Sequence, residues 1–503
     1  LGHRALVLVL SVLVLLGSSL MLPRLGSEFI PTLDEGSILI GVTMAPAIAL
    51  EDGTDTVMRM ERAIMEFPEV SRTVSRIGRP EAGSHPHPVN TAEIQLELTP
   101  MASWQRFQRK DDLVAALAKH LAQFPGVQLN FTQPIQNAFD ELLSGSKAQL
   151  AIKVYGEDLA ELRRLAEAVR QAVTTVPGLV DLSLEQNSGQ PQLQIVADRA
   201  ACARHGVAIH DLLETVELAV GGEVVDTIFL NTRRYGVFVR YQDDYRSSPE
   251  AIGDIMIANA DGVKLPLKQL ADIRHDVGPI QINRENNQRY WLVQGNIRGR
   301  DLGSVVADAR QRIAEAVSLP VGYMVEFGGQ FENQQRAMSR LALIVPVVIL
   351  AVMVLLWLAF GSFRHALIIV ANVPLALCGG VVGLLLFGEY LSVPAAVGFI
   401  ALFGIAMQNG IVLVTHYNDL RASGIPLHDA VRKGSMLRLS PVLMTALTTV
   451  LGLLPLLMAR GVGSDVQRPL ATVVVFGLAT ATALTLLVIP AVYSAVEERR
   501  NKI

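Results

Sequence analysis

Polar side chains interrupt one of the last apolar runs of the sequence at intervals that place them on shared helix faces. Gln408 and Thr415 are seven residues apart, and Asn409 and His416 repeat that interval one position later. Seven residues make about two helical turns, so each pair shares a face. Polar side chains in hydrocarbon require partners, and we expect these faces to meet each other or a group from elsewhere. Simple packing of the two amides is the alternative.

The next apolar run carries a second set of polar groups. Thr445, Thr448 and Thr449 stand at helical spacing, and Arg438 precedes them by two turns. Hydrogen bonds from these hydroxyl groups to carbonyls of their own helix are the alternative to a functional role. No Asp, Glu or Lys falls in the interior of any predicted span, so the sequence offers no obvious intramembrane carboxylate that could carry a proton.

Other parts of the chain offer groups that bind divalent cations. The candidates are two acidic pairs and two loop histidines: Asp34, Glu35, Asp140, Glu141, His85 and His87. Carboxylate oxygens with help from imidazole suit Zn, Co, Ni or Cd. A solvated surface or a charge at a helix N-terminus is the alternative for each acidic pair, and solvation is the alternative for the histidines. Cys202 and Cys378 have no metal-ligand spacing.

Six long apolar runs position these groups. The first begins at Ala5 and ends at Leu22, and five more lie between Leu341 and Tyr493. Each later run is long enough, at about 1.5 Å per residue, to cross a hydrocarbon core of roughly 30 Å. Half of the residues are hydrophobic and the net charge is only -4, which gives no sign of a nucleic-acid surface. The sequence therefore predicts a multi-pass membrane protein with one large domain outside the membrane.

Basic residues in the short connections predict the orientation. With six spans, one side holds Arg4, Arg364, Arg421, Arg432, Lys433, Arg438, Arg499, Arg500 and Lys502. That side is expected to be cytoplasmic, which places the domain from Pro23 to Arg340 in the periplasm of a Gram-negative cell. A signal peptide is the alternative for the first run, but no A-x-A-like site follows it. Because almost nothing precedes this run, we expect the chain to be part of a longer polypeptide.

The outer domain repeats a pattern of helix, proline turn and strand. Its first part predicts strand 38–46, helix 50–66, strand 69–77, strand 92–99, helix 110–123 and strand 126–131. This is the β-α-β-β-α-β order of a ferredoxin-like fold. A second copy is predicted from 148, with a strand at 150–155, a helix at 158–175 and strands at 179–185 and 191–197, closing at 290–328 after a β-rich insertion. Two sandwiches that merely pack together are the alternative to a domain that moves and docks.

Three separated segments carry a family resemblance. They are 26–36 (GSEFIPTLDEG), 134–145 (PIQNAFDELLSG) and 398–410 (GFIALFGIAMQNG). In this order they resemble the C-terminal half of a resistance-nodulation-division efflux pump. The heavy-metal-efflux branch, similar to cobalt-zinc-cadmium exporters, is the best match, and the resemblance covers essentially the whole chain.

The resemblance implies an architecture and partners. It implies six spans with a large α+β periplasmic domain of two ferredoxin-like subdomains and a docking insertion. The expected domains are 1–22, the first span; 23–147, the first subdomain; 148–220 and 281–332, the second subdomain; 221–280, the docking insertion; and 333–503, a five-helix bundle. The expected partners are an N-terminal half of the same pump, further copies in a homotrimer, a periplasmic adaptor and an outer-membrane channel. No cofactor is expected, and the expected location is the bacterial inner membrane.

The resemblance also implies roles for the polar groups in the spans. Family positions that match Gln408, Asn409, Arg438 and Thr445 belong to a proton-relay network centred on acidic residues of the other half. Arg438 and Thr445 match the relay residues of drug pumps in type. Gln408 departs from the pattern, because drug pumps have lysine there and a copper and silver exporter has glutamate.

A metal preference follows from the same resemblance. Exporters of Cu(I) and Ag(I) use three methionines, and this chain has Glu141 at one of those positions and Gly41 and Thr91 near the other two. Soft thioether ligands are therefore missing, and a borderline divalent cation is the expected substrate.

Three other functions are compatible with parts of this pattern. A multidrug efflux pump of the same superfamily would share every span. Accessory subunits of the protein-export machinery also have one span, a large outer domain and five more spans, but the duplicated sandwich and the 398–410 segment argue against them. A membrane-anchored enzyme is not expected, since no nucleophile elbow, phosphate loop or closed metal motif is present.

Overall fold

The chain forms two compact units. A computed structural model describes residues 4–31, 33–78, 88–145, 147–186, 188–459 and 463–501. One unit comprises Leu1–Met44, Leu50–Glu185 and Asn283–Ile503, and the other comprises Ala45–Ala49 and Gln186–Ile282. Six helices in the described residues are long and apolar enough to cross a membrane, and all six belong to the first unit. The predicted class, a membrane protein with a mixed α/β domain, is confirmed at this level.

The first sheet of the outer domain follows the first span. The elements are α1 (Arg4–Met21), β1 (Ser37–Thr43), α2 (Leu50–Ile64), β2 (Val70–Ile77), β3 (Thr91–Leu98), α3 (Lys110–Leu121), β4 (Gln128–Thr132) and α4 (Pro134–Ser144). The strand order is β2-β3-β1-β4, and every neighbouring pair is antiparallel. Ile40 of β1 lies between Ile94 and Phe131. Met60 on the inner face of α2 is fully buried, as expected for an amphipathic helix over a sheet.

The second sheet begins with β5 (Leu150–Tyr155), α5 (Leu159–Val173) and β6 (Leu179–Leu184). Asp158 starts α5, because its carboxylate accepts a hydrogen bond from the Glu161 N–H at 2.8 Å. Every residue of β5 is buried, which suits the centre of a sheet.

Along the chain, residues 186–282 of the second unit follow β6, before the rest of this sheet is formed. Its elements are β7 (Ser188–Ala197), α6 (Arg199–His205), α7 (Ile209–Val216), β8 (Glu223–Leu230), β9 (Arg233–Val239), α8 (Pro249–Gly253), β10 (Met256–Ala258), β11 (Lys264–Pro266) and β12 (Ala271–Pro279). The strand predicted at 191–197 is present as β7, but it pairs with β12 of this unit and not with the second sheet. An alternating pattern indicates a strand without identifying its neighbour, which depends on distant residues.

The chain then returns to the second sheet with β13 (Asn283–Glu285), β14 (Gln288–Ile297), α9 (Leu302–Ala316) and β15 (Met324–Gly329). The order is β13-β14-β5-β15, and β6 also pairs with β14. Ile152 and Val154 of β5 share a buried core with Val169 of α5 and Val305 of α9.

The remaining spans are α10 (Gln330–Phe360), α11 (Phe363–Val370), α12 (Val373–Phe387), α13 (Val393–Ala422), α14 (Leu427–Met458) and α15 (Ser464–Asn501). Helices α11 and α12 together form one span from Phe363 to Phe387. Half of the apolar stretch of α13 is buried, against 6% for α10 and 17% for α14. Helices α10 and α14 therefore leave most of their surface uncovered by the described chain.

Candidate functional site

Helix α13 presents two of the four relay candidates at different depths. The helix is capped by Ser392, whose Oγ accepts a hydrogen bond from the Ala395 N–H at 3.3 Å. The Gln408 side chain is exposed, whereas Asn409 is buried. Two turns further on, His416 has its Nε2 atom enclosed without a hydrogen-bond partner among the described residues. This face of α13 therefore has a hydrogen-bonding group that the described chain leaves unmatched.

Helix α14 carries the other two relay candidates. Thr445 is exposed, and its hydroxyl donates to carbonyls of its own helix, at 3.0 Å to Val442 and 3.2 Å to Pro441. This is the alternative that the sequence left open. Arg438 is half-buried, and its Nε atom has no partner in the described part of the chain. The structure places the four candidates on two adjacent helices, and their role as a relay stays a prediction.

A buried ionic cluster joins three helices at the predicted cytoplasmic end of the spans. Glu497 of α15 is 1% exposed, and its carboxylate forms an ion pair with Arg421 of α13. The Nε2 atom of His365, on α11, lies 3.4 Å from the other carboxylate oxygen. Asn418 extends the cluster, because its Oδ1 accepts the Tyr493 hydroxyl hydrogen bond at 2.6 Å. Three helix ends are thus connected through charged and polar side chains.

This cluster corrects the sequence analysis, which ended the last span at Tyr493. Helix α15 continues to Asn501, so Glu497 lies one turn further along the same helix. The available signal was the stretch of good helix formers after Tyr493, which favours continuation. The burial of Glu497 depends on α11 and α13, and no local pattern could indicate it.

The first acidic pair has partners near the start of α4. Burial would raise the pKa of Asp34, but Lys110, whose Nζ lies 3.1 Å from Oδ1, and the Gly36 N–H, which donates to the same oxygen, together lower it below its ordinary value. The Glu35 carboxylate accepts hydrogen bonds from the Ile135 N–H at 2.8 Å and the Gln136 N–H at 2.9 Å. Glu35 therefore caps α4, and its negative charge stabilises that helix N-terminus.

The second acidic pair lies within α4 itself. Asp140 is 2% exposed, and its Oδ1 accepts hydrogen bonds from the Gln330 amide at 2.8 Å and the Gln136 amide at 3.1 Å. Burial raises the pKa of Asp140, although the two amides oppose this. Glu141 is half-buried beside it. Because Gln330 is the first residue of α10, Asp140 connects α4 to a helix that continues into the membrane.

The two acidic pairs lie at or near α4, and residues that contact them line a cavity. The cavity has a volume of about 250 Å³, and its lining includes their partners Lys110, Gln136 and Gln330. Within the described residues, no group of three or more His, Cys, Asp and Glu side chains is placed to hold a metal ion. His85 and His87 lie outside the described residues. The ion path predicted from these six residues stays a prediction.

The fold and these positions can be compared with known proteins. The family model described as "AcrB/AcrD/AcrF family" matches residues 1–497. The chain belongs to this family. The resemblance to resistance-nodulation-division pumps, seen in three short segments, is confirmed over nearly the whole chain.

Two relatives and one solved structure match nearly the whole chain. The cobalt-zinc-cadmium resistance protein CzcA of Cupriavidus metallidurans is 38% identical over 98% of this chain and 47% of its own length. Protein HelA of Legionella pneumophila is 40% identical over 95% of this chain and 46% of its own length. A crystal structure of a heavy metal efflux pump superposes with a TM-score of 0.84 at 41% identity, covering 99% of this chain and 51% of that one. The chain thus spans about half the length of these relatives.

Proposed function

We propose that this chain is the C-terminal half of a proton-driven inner-membrane transporter, not an enzyme, that exports divalent heavy-metal cations such as Zn, Co, Cd or Ni. The observation that carries the proposal is 38% identity to a cobalt-zinc-cadmium resistance protein over 98% of the chain. Because that match covers 47% of the relative, a second half of similar size is expected to complete the pump.

The uncovered surfaces of the membrane helices support a second half. Helices α10 and α14 are largely unburied, and the enclosed Nε atom of Arg438 has no partner in the described residues. An arginine within a span is costly unless it is paired. We assign it a carboxylate from the other half as partner. In this scheme Thr445 relays protons through water, while the amides of Gln408 and Asn409 shape the network without titrating.

The metal path is assigned to Asp34, Glu35, Asp140 and Glu141, with His85 and His87 as further ligands. The position of the acidic pairs at α4, beside the cavity, supports this assignment. Burial raises the pKa of Asp140, so protons compete with a divalent cation for this carboxylate more than for an ordinary aspartate. The remaining ligands are expected from the other half or from movement of the subdomains.

The architecture of the outer domain is proposed on the same basis. The antiparallel order β2-β3-β1-β4 supports a ferredoxin-like subdomain at 23–147. The sheet that contains β5, β14 and β15 supports a second subdomain built from 148–185 and 283–332, shorter than the expected 148–220 and 281–332. The second unit supports a docking insertion that includes 221–280 and begins earlier, at Gln186. We propose assembly as a trimer with a periplasmic adaptor and an outer-membrane channel.

The test is metal tolerance in a strain that lacks related pumps. The complete transporter and this chain alone would be expressed to equal membrane levels, and growth and cellular metal content would be measured with Zn, Co, Cd, Ni and Cu salts. The complete transporter should lower the content of at least one divalent metal, while the chain alone should not. Export by the chain alone would contradict the half-pump assignment. Export of organic drugs without any metal would favour the multidrug alternative.

A further inference from the structure

The segment that leaves the first span is held at the outer ends of the membrane helices. Leu25 is buried in a cluster with Leu384 of α12, Ala395 of α13 and Val473 of α15. The residues after it, 26–29, form backbone hydrogen bonds along both of their edges. We refer to residues 26–29 as the joint segment.

One edge of the joint segment pairs with the loop that begins α13. The Leu391 N–H donates to the Gly26 carbonyl at 2.8 Å, and the Glu28 N–H donates to the Leu391 carbonyl at 3.2 Å. The Val393 N–H, at the first residue of α13, donates to the Phe29 carbonyl at 3.1 Å. The position of the α13 start therefore depends on the joint segment.

The other edge pairs with the start of α9 in the outer domain. The Ser27 N–H donates to Asp301 Oδ2 at 3.1 Å, and the Gly303 N–H donates to the Ser27 carbonyl at 3.3 Å. Asp301 also caps α9, since the same Oδ2 accepts the Ser304 N–H at 3.0 Å. In extended backbone, successive residues point in opposite directions, so one short segment can bond to both neighbours.

Glycines allow this close approach on each side. A Cβ atom at Gly26 would lie 2.5 Å from the Asp301 Cβ and 2.8 Å from the Tyr390 ring. A Cβ atom at Gly303 would lie 2.4 Å from the Ser27 Oγ. All three separations are shorter than nonbonded contacts permit. A larger residue at position 26 would push the segment away from Asp301 and Tyr390, whereas a Cβ at position 303 would displace the Ser27 hydroxyl, which can rotate.

The side chain of Glu28 lies among other acids at this junction. Burial, followed by the carboxylates of Glu389 and Asp301, raises the pKa of Glu28 to about 7. Glu389 is itself paired with Arg468 of α15 at 3.1 Å. The ionisable groups that act on Glu28 or line the same cavity are Glu389, Tyr390, Asp301, Lys110, Asp111, Arg298 and Arg300. The charge of Glu28 thus changes close to neutral pH, at the point where α13 and α9 are joined.

We propose that the joint segment is a pH-sensitive connection between the outer end of α13 and the start of α9, and that Glu28 is the positioning residue whose charge decides how firmly it is closed. Neutral Glu28 allows the three acids to stay together. Ionised Glu28 adds a negative charge next to Glu389 and Asp301 and favours opening. The use of this connection in proton-coupled transport rests on the proposed function, whereas its pH-dependent opening does not.

The sign follows from the raised pKa. The closed form binds a proton more tightly than an ordinary glutamate, so closure is favoured at low pH and weakens as the pH rises towards about 7. When opening returns Glu28 to its ordinary pKa, the open fraction should rise roughly tenfold between about pH 6 and about pH 8.

Hydrogen exchange of the purified protein in detergent, without metal, tests the opening. Exchange of peptides covering 25–31, 388–394 and 299–305 would be measured from about pH 6 to about pH 8 and corrected for intrinsic chemical rates. Wild-type protein should show the roughly tenfold rise in opening, and Glu28→Gln should stay at its low-pH level. Glu315→Gln, an exposed change on α9, should behave as wild type. A Glu28→Gln profile that parallels wild type, or a flat wild-type profile, would overturn the proposal whatever the transported substrate.

A reversible cross-link tests the link to transport. The Cβ of Ser27 and a Cβ built at position 303 are 3.7 Å apart, which suits a disulfide. The test uses a complete transporter with Cys202 and Cys378 replaced by Ala. In it, the Ser27→Cys/Gly303→Cys pair should transport at least about tenfold more slowly when oxidised than when reduced, and reductant should restore the rate of the reduced pair. Ser27→Cys alone should not respond to oxidation. Full transport by the oxidised pair would show that the connection need not open, and would reject its proposed role in coupling.

Discussion

Two arginines near the predicted cytoplasmic ends of neighbouring helices differ in their partners. Arg421 of α13 forms an ion pair with the buried carboxylate of Glu497, inside a cluster that includes His365. Arg438 of α14 is also partly buried, but its Nε atom has no partner in the described residues. In similar surroundings, Arg421 therefore has its ion-pair partner within the chain, whereas the Nε atom of Arg438 has no partner in the described residues.

This difference separates structural groups from groups that await another part of the protein. A buried ion pair within the chain costs several kcal/mol to break, because the remaining charge stays buried. Removing an enclosed donor that has no partner breaks no hydrogen bond in the isolated chain. Its effect therefore depends on what binds there in the complete protein. The comparison predicts stability effects at Glu497 and activity effects at Arg438.

The largest effect is expected at the paired site. Glu497→Ala should lower the free energy of unfolding by about 3 kcal/mol, because it leaves Arg421 and His365 without their buried acid. The thermal midpoint of the purified protein in detergent measures this. Glu498→Ala is the matched control, since Glu498 is more exposed and pairs with Arg4 and His428. Equal midpoints for the two variants would remove the distinction between the two arginines.

The next largest effect is expected at the incomplete site. Arg438→Ala should reduce metal flux of the complete transporter by about a hundredfold, the equivalent of one hydrogen-bonded charge partner of about 2–3 kcal/mol. Assembly and the thermal midpoint should change little. Arg432→Ala, an exposed change on the same helix, provides the control. Wild-type flux from Arg438→Ala would reject its role in coupling.

The elements of the outer domain could be predicted because their periodicity is local. Helix α5 was expected at 158–175 and runs from Leu159 to Val173, and β5 was expected at its observed bounds. The partner of β7 could not be predicted, since alternation indicates a strand but leaves its pairing open. Local patterns therefore predicted the individual helices and strands, whereas contacts between residues distant in sequence determine which strands pair.

The candidate sites follow the same division. Residue type indicated that Glu35 could serve a helix N-terminus, and the structure places it on the first amides of α4. The cluster around Glu497 was missed because its members come from three helices far apart in sequence. The sequence indicated the joint segment only as part of a family motif, because hydrogen bonds made by the backbone on both edges require no particular side-chain pattern.

A smaller effect is expected where a buried acid has neutral partners in the chain. Asp140→Asn with Glu141→Gln should weaken binding of Zn(II) or Co(II) to the complete transporter by about tenfold. The raised pKa of Asp140 adds a pH dependence, because protons compete with the cation and affinity should fall as pH decreases. Calorimetric titration at several pH values tests both. As a control, Asp111→Asn changes an exposed acid beside the cavity. Tight Cu(I) binding that survives loss of Asp34, Glu35, Asp140 and Glu141 would refute the divalent assignment.

The smallest effect is expected at Thr445. It tests whether a hydroxyl that already has a partner in its own helix also contributes to transport. Its hydroxyl already donates within α14, so it is satisfied in the isolated chain, unlike the Arg438 Nε. Thr445→Ala should therefore slow flux only about three- to fivefold, the equivalent of about 0.5–1 kcal/mol for one neutral hydrogen bond. Thr445→Ser keeps the hydroxyl and should restore the rate, and Thr448→Ala, which removes another hydroxyl bonded to its own helix, should leave it unchanged. If Thr445→Ala matched wild type, the hydroxyl would serve only its own helix, and the functional face of α14 would reduce to Arg438.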